Sequence, residues 1–181
     1  MLTARRNILT DAADLPPAAG VQAYRVRLAT EAWELRGYAE LRRRTFCDEQ
    51  GLFIGSDHDA HDVVATPIVA VSSAAVCDDE VIGCVRIYPT EADSVWYGSR
   101  LGVTPEWRGS APLAANLIRL AVTTAHARGC TRFLATVQRQ NVPLFRRLHW
   151  RGIEDMNIRG RPHVLMTADL AHYPPTRGEA L

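Results

Sequence analysis

Four groups of side chains in this chain of 181 residues are of types that do chemistry. The segment Asp57-His58-Asp59-Ala60-His61-Asp62 sets carboxylates and imidazoles within one short stretch. Such a cluster reads first as a hydrogen-bonded turn. Its residue types also suit a metal, with His58 and His61 three apart, but no second ligand pair accompanies them and no metal is expected. Asp59 and Asp62 are candidates for a general base or for binders of a cationic substrate. Arg86 and Arg100 lie in apolar stretches, and a buried guanidinium demands a carboxylate partner or an anionic ligand. Pairing with Asp59 and Asp62 makes them a brace, the reading slightly favoured. Left free, they would hold a substrate carboxylate in a bidentate fork. Glu49 follows a helical stretch beside Asp48 and near Phe53, and is the first candidate for a base; its plain reading is a solvated acid at a helix end. Ser99 is a candidate donor to a substrate, or a packed hydroxyl.

The elements that must carry these groups can be read from periodicity. The stretch from Trp96 reads as a strand that ends at Val103, Pro105 leads a turn, and Arg108-Gly109-Ser110-Ala111 feeds a helix over about 111–128. Its Leu117, Ile118, Ala121, Val122 and Ala125 share one face. A turn with free backbone N–H groups at a helix N-terminus is an anion site. Before it come a strand at Tyr24–Ala29 and a helix from a Thr30 cap to about Glu49-Gln50-Gly51. Then follow a polar connection over 51–65 and a hairpin of Pro67–Ser72 with Val81–Tyr88. After it come a strand at Thr131–Val137, a short helix at Asn141–Leu148, and a hairpin of Ile153–Ile158 with His163–Ala168. The order predicts an α/β sandwich, one mixed and mostly antiparallel sheet with helices on both faces.

The bulk composition narrows the function classes. A net charge of +1 gives no electrostatic case for nucleic acid or an anionic membrane. All 21 basic residues are arginine. The four cysteines, Cys47, Cys77, Cys84 and Cys130, lack metal-type spacing and read as reduced, buried small hydrophobes. No apolar run reaches membrane-spanning length, and residues 1–20 lack a signal-sequence core, so a cytoplasmic location is expected. The organisation expected is a flexible leader over 1–20, one domain over 21–172 and a flexible tail over 173–181. A homodimer is left open.

The run Leu101-Gly102-Val103-Thr104-Pro105-Glu106-Trp107-Arg108-Gly109 resembles the lead into the pyrophosphate loop of the GNAT superfamily of acyl-CoA-dependent N-acyltransferases. Asn141, ahead of Phe145-Arg146-Arg147-Leu148-His149-Trp150, resembles the superfamily segment beside the pantetheine thiol. The likeness covers about residues 22–170 and implies a GNAT-like sheet and acetyl-CoA as the cofactor. It also implies a cofactor site at Leu101, Gly102, Val103, Arg108, Gly109, Ser110, Ala111, Leu113, Ala114, Asn141 and Phe145. Two departures stand out. Ala111-Pro112-Leu113 replaces the later glycines of the loop, and Phe145 replaces the tyrosine that often protonates the leaving thiolate.

Arg42 to Phe46, Asp57-x-Asp59-x-His61-Asp62, Gly83 to Thr90 and Trp96-x-x-Ser99-Arg100 also resemble the motif order of the acyl-homoserine-lactone synthases. Those enzymes typically carry Glu where this chain has Tyr97. Phe46 to Phe53, Trp96 to Leu101 and Gln140 to Trp150 further resemble a bacterial family of N-acetyltransferases associated with nitrogen starvation.

Together these imply an N-acetyltransferase that moves an acetyl group from acetyl-CoA to a small-molecule amine by direct attack. Glu49, Ser99 and Arg100 are its expected catalytic residues, and Phe53, Asp59, Asp62 and Arg86 its expected substrate contacts. The alternatives are an acyltransferase using longer donors, and a CoA-binding module without turnover.

Overall fold

The computed structural model describes residues 23–73, 80–92, 94–109 and 112–175. The expected leader, Cys77, and the cofactor assignments to Ser110 and Ala111 lie outside the described residues. Among the described residues seven strands form one sheet: β1 (Ala23–Leu28), β2 (Thr66–Ser73), β3 (Val81–Pro89), β4 (Val95–Val103), β5 (Arg132–Gln138), β6 (Trp150–Ile158) and β7 (Arg161–Ala168), in the order β1-β2-β3-β4-β5-β7-β6. Every pairing is antiparallel except β4 with β5. The mixed, mostly antiparallel sheet read from the sequence is the one observed. Strand β6 begins at Trp150, three residues earlier than its expected start at Ile153, because Trp150 already pairs with Ala168.

The middle of the sheet is buried on both faces, where the central positions of β2 and nearly all of β3 are apolar. Ile68 and Ala70 point into one core, Val69 and Val71 into the other. The larger core is closed by α2 (Leu113–Ala127), which buries Leu117, Ile118, Ala121, Val122 and Ala125 on the stripe predicted for it and Leu113 one turn ahead of them. Gly83 lets α2 come close: a Cβ there would lie 2.8 Å from Leu113 Cδ2. The smaller core lies under α1 (Ala32–Arg42), with Tyr38 and Leu41 against Val69, Val81 and Cys84. A third helix, α3 (Val142–Arg147), buries Phe145 edge-on against Trp150, ring centroids 5.0 Å apart.

Two expectations for α1 are corrected. Its cap is Glu31, not Thr30, and the first turn is held by Glu34, whose carboxylate accepts from the Thr30 and Glu31 N–H groups at 2.8 and 3.0 Å. The helix also does not run uniformly to Gln50. From Arg43 to Glu49 it widens into a π-helical segment, the form that recurs at functional sites. Gly51 then ends it in a left-handed conformation, φ 61°, as its glycine stop predicts.

Of the tail expected over 173–181, residues 176–181 lie outside the described residues, and Tyr173 is not loose. That ring is buried, accepts a hydrogen bond from Trp150 Nε1 at 3.1 Å and donates to the Leu148 carbonyl. Among the described residues no helix is long and apolar enough to cross a membrane.

Candidate active site

Strands β4 and β5 pair only from Val95–Gly98 against Arg132–Ala135, yet β4 continues to Val103 and β5 to Gln138. They therefore part beyond Gly98 like a V. Strand β4 diverges because it carries a β-bulge. Cys84 faces Gly102 and Arg86 faces Ser99, so Val85 alone opposes Arg100 and Leu101. Arg100 takes up the extra residue in a left-handed conformation, φ 57°, which costs a non-glycine residue about 1–2 kcal/mol. The edge of Ser99–Val103 turned toward β5 has no partner strand among the described residues.

A cavity of about 410 Å³ occupies this split and passes through the sheet. On the α2 side its wall is apolar, with Ile118, Ala121, Phe133, Phe145 and Trp150. On the α1 side it is polar and aromatic. Arg86, Tyr88, Tyr97, Ser99, Thr136 and Gln138 come from the strands, while Gln50, Phe53, Asp59 and His61 come from the segments above them.

The polar wall is held by an ion network built from three arginines and three aspartates. Arg42 pairs with Asp57 at 2.8 Å and with Asp62 at 2.6 Å; Arg86 reaches Asp59 and Asp62, each at 2.8 Å. Arg100 pairs with Asp57 at 2.7 Å and with Asp59 at 3.1 Å, and donates to the Asp57 carbonyl at 2.7 Å. Arg42 and Arg86 are each 1% exposed and Asp57 3%. Asp59 also caps the turn Ala60–Val63, accepting from the His61 N–H, while Asp62 returns a bond to the Asp59 N–H. Burial pushes the Asp59 and Asp62 carboxyls up, but hydrogen bonds from the arginines outweigh it and leave both below the usual aspartate range. Arg86 and Arg100 are thus a brace. Their forks are filled by carboxylates of the chain itself, which corrects the fork reading of Arg86 and Arg100.

Ser99 accepts from Arg86 Nε at 3.0 Å and faces the cavity. Phe53 lines it as well, with the Arg100 and Arg159 guanidinium carbons 4.5 and 4.6 Å from its ring centroid. Glu49 is not brought there. Its side chain is 44% exposed and accepts both Arg108 N–H groups at 2.6 Å, which hold its carboxyl below the usual range. A lowered, solvent-facing carboxylate outside the cavity is a poor base. Arg108 is engaged by the same pair and donates from Nε to the Val103 carbonyl. Of the remaining expected cofactor residues, Leu101, Asn141 and Phe145 line the cavity. Gly102 packs under Cys84 and Thr45, Val103 ends the free edge, and Gly109 is left-handed at φ 90°. Leu113 is core and Ala114 half-buried at the first turn of α2. Cys84, beside the bulge, is no nucleophile: burial pushes its thiol up to about 12.

Sequence reasoning missed Arg42 and Asp57 as structural partners, and His61, Tyr88, Tyr97 and Thr136 as cavity residues. His61 stacks on Tyr88, centroids 4.3 Å apart, and Tyr88 on Tyr97 at 5.8 Å. Strand alternation carried a signal for Tyr97, which shares a face with Ser99. Nothing local marked Thr136, whose hydroxyl meets that of Tyr97 only because β4 and β5 are neighbours.

Residues 27–150 match the family model described as Acetyltransferase (GNAT) family. The chain belongs to the GNAT acetyltransferase family. GNAT enzymes are acyl-CoA-dependent acyltransferases, and that reaction class applies to this chain. No curated protein matches it by sequence. Among solved structures, a candidate N-acetyltransferase from Lactobacillus plantarum is 20% identical with a TM-score of 0.69, covering 81% of this chain and 97% of that one. Escherichia coli ElaA is 18% identical with a TM-score of 0.67, covering 82% and 99%. The CoA-dependent acyl-homoserine lactone synthase BjaI, solved with SAM and isopentyl-CoA, is 15% identical with a TM-score of 0.61, covering 80% and 82%. At these identities the likeness is one of fold.

The split fits a CoA-linked donor. A free strand edge offers main-chain N–H and C=O groups to an amide-bearing arm, in the manner of an added strand. The edge leads at Val103 to Thr104, whose buried hydroxyl has no hydrogen-bond partner among the described residues, and on to the N-terminus of α2.

Proposed function

We propose that this GNAT enzyme transfers an acetyl group from acetyl-CoA to the amine of a small-molecule acceptor, by direct attack with both substrates bound. The observation that carries the reading is the cavity that runs along the free edge of β4 and opens onto a polar, aromatic wall on the other side of the sheet. Donor and acceptor can then meet at one point without a covalent enzyme intermediate. A CoA thioester supplies an activated carbonyl and a thiol leaving group. Ser99 to Val103 would hold the pantetheine arm, and Arg108 to Ala114 with the α2 N-terminus the diphosphate. Asn141 and Phe145 would flank the thiol end.

An alkyl ammonium with a pKa near 10.4 must lose a proton, which costs about 4–5 kcal/mol at pH 7. Asp59 and Asp62 are occupied by the arginines, which hold both carboxyls low and make them poor bases. The imidazole of His61, stacked at the cavity wall, is the group suited to pass that proton to solvent. A cytoplasmic location and a small acceptor belong to the same proposal.

Incubating the protein with acetyl-CoA and pooled amines, and following free thiol, tests it. Amine-dependent thiol release is expected. No release with any amine, beside measurable CoA binding, would sink the reading in favour of a binding module. One observation favours a second reading with longer donors: the apolar wall of Ile118, Ala121, Phe133 and Trp150 beyond the split. A kcat/KM that rises from two-carbon to eight-carbon acyl-CoA would establish it; a fall with chain length would establish acetyl.

A further inference from the structure

We infer that the hydroxyls of Tyr97 and Thr136 form the proton path to the leaving thiolate, with Tyr97 as the group that touches sulfur. The inference rests on the acyl-transfer reading and names a catalytic residue for it.

The geometry places this pair at the one point where a donor in the split must end. Going along β4 from Val103 toward Gly98, the free edge closes where Gly98 pairs with Ala135. Tyr97 is the residue before that apex, and Thr136 is the residue after it on β5. Their hydroxyls are hydrogen-bonded across the split, and both residues line the cavity. A chain entering from the α2 N-terminus and pairing along the edge brings its reactive end to these two oxygens. Phe145, on the opposite wall, has no proton to give. Burial holds the Tyr97 phenol above the usual tyrosine range, so the phenol stays protonated and the path works as a relay.

The step balances without another reactant. The acceptor nitrogen forms its bond to the carbonyl carbon, and the C–S bond breaks with its electron pair left on sulfur. After the ammonium proton has left by way of His61, the second proton, shed by nitrogen on attack, passes to the Thr136 oxygen, the Thr136 proton to the Tyr97 oxygen, and the Tyr97 proton to sulfur. The products are an amide and a thiol, and both hydroxyls end as they began.

The test uses the full chain labelled with ¹³C at tyrosine Cζ, where five tyrosines give a readable spectrum. The Tyr97 signal is the one missing from Tyr97→Phe. It is expected to shift with CoA and not with desulfo-CoA, because the contact is to sulfur. Kinetically, Tyr97→Phe is expected to lower kcat about 100-fold with the KM for acetyl-CoA unchanged, as loss of a proton-transfer group does. Thr136→Val is expected to lower kcat about 10-fold and keeps the question answerable if the phenylalanine variant folds poorly. An identical response of Tyr97 to CoA and desulfo-CoA, or a Tyr97→Phe enzyme with wild-type kcat, overturns the relay while leaving acetyl transfer standing. A wild type from which no amine elicits thiol release overturns the acetyl-transfer reading and the relay with it.

Discussion

Asp57, which nothing in its local sequence singled out, ties together two arginines of the wall. Its carboxylate oxygen serves Arg42 and Arg100 together, and its carbonyl accepts from both guanidiniums. Removing one partner of a buried pair leaves a charge uncompensated and costs about 3–5 kcal/mol. Asp57→Asn is therefore expected to lower stability by about 3 kcal/mol and the melting temperature by about 6–12 °C for a chain of this size, read by thermal unfolding. Glu49 is the opposite case. Its pair with Arg108 is exposed, and such pairs contribute about 0–1 kcal/mol. Glu49→Gln should leave kcat within about twofold; a fall of 100-fold or more in the thiol-release assay would restore Glu49 as the base.

At the scale of elements, the site exists because β4 is irregular. The bulge at Arg100 and Leu101 turns the strand away from β5, and the split so opened is the cavity. Arg100 is tolerated in a left-handed conformation because its guanidinium is tied to Asp57 and Asp59. The network thus stabilises the bulge as well as the loop above it. On the other face, α2 seats on β3 through Gly83. Gly83→Ala places a methyl 2.8 Å from Leu113 and 2.9 Å from Leu117, and overpacking of this kind costs about 1–3 kcal/mol. Denaturant unfolding should show that loss with an unchanged m-value.

For the whole molecule, the arginine-paired carboxylates set the acid limit of stability. Asp59 and Asp62 are lowered in the fold from their usual 3.8. A lowered folded value means that the folded state binds fewer protons than the unfolded chain as pH falls. Their contribution is complete above the unfolded value and is lost as pH drops through 3.8 toward the lower folded values. Glu34, where burial is outweighed by two backbone N–H groups and Arg27, acts in the same direction from its usual 4.5. Melting temperature should be nearly flat between about pH 5 and 7 and fall steeply below about pH 4. Asp57→Asn should unfold at a higher pH than the wild type on that acid limb.

Periodicity and turn chemistry are local, and by themselves they determined the strand and helix order, the buried stripe of α2, the Gly51 stop and the sheet class. The run from Leu101 to Gly109 was likewise enough to point to an acyl-CoA family. Pairing is not local, and only the tertiary structure decided it. Whether Arg86 and Arg100 were brace or fork depended on where residues 57–62 come to rest, 27 positions away along the chain for Arg86 with Asp59 and 43 for Arg100 with Asp57. Glu49 looked like a base until Arg108, 59 positions on, was found to hold it. Tyr97 and Thr136 meet because two strands separated by a helix lie parallel and then part. A side chain's type sets what it can do; the charges and hydroxyls that the fold brings against it decide whether it does.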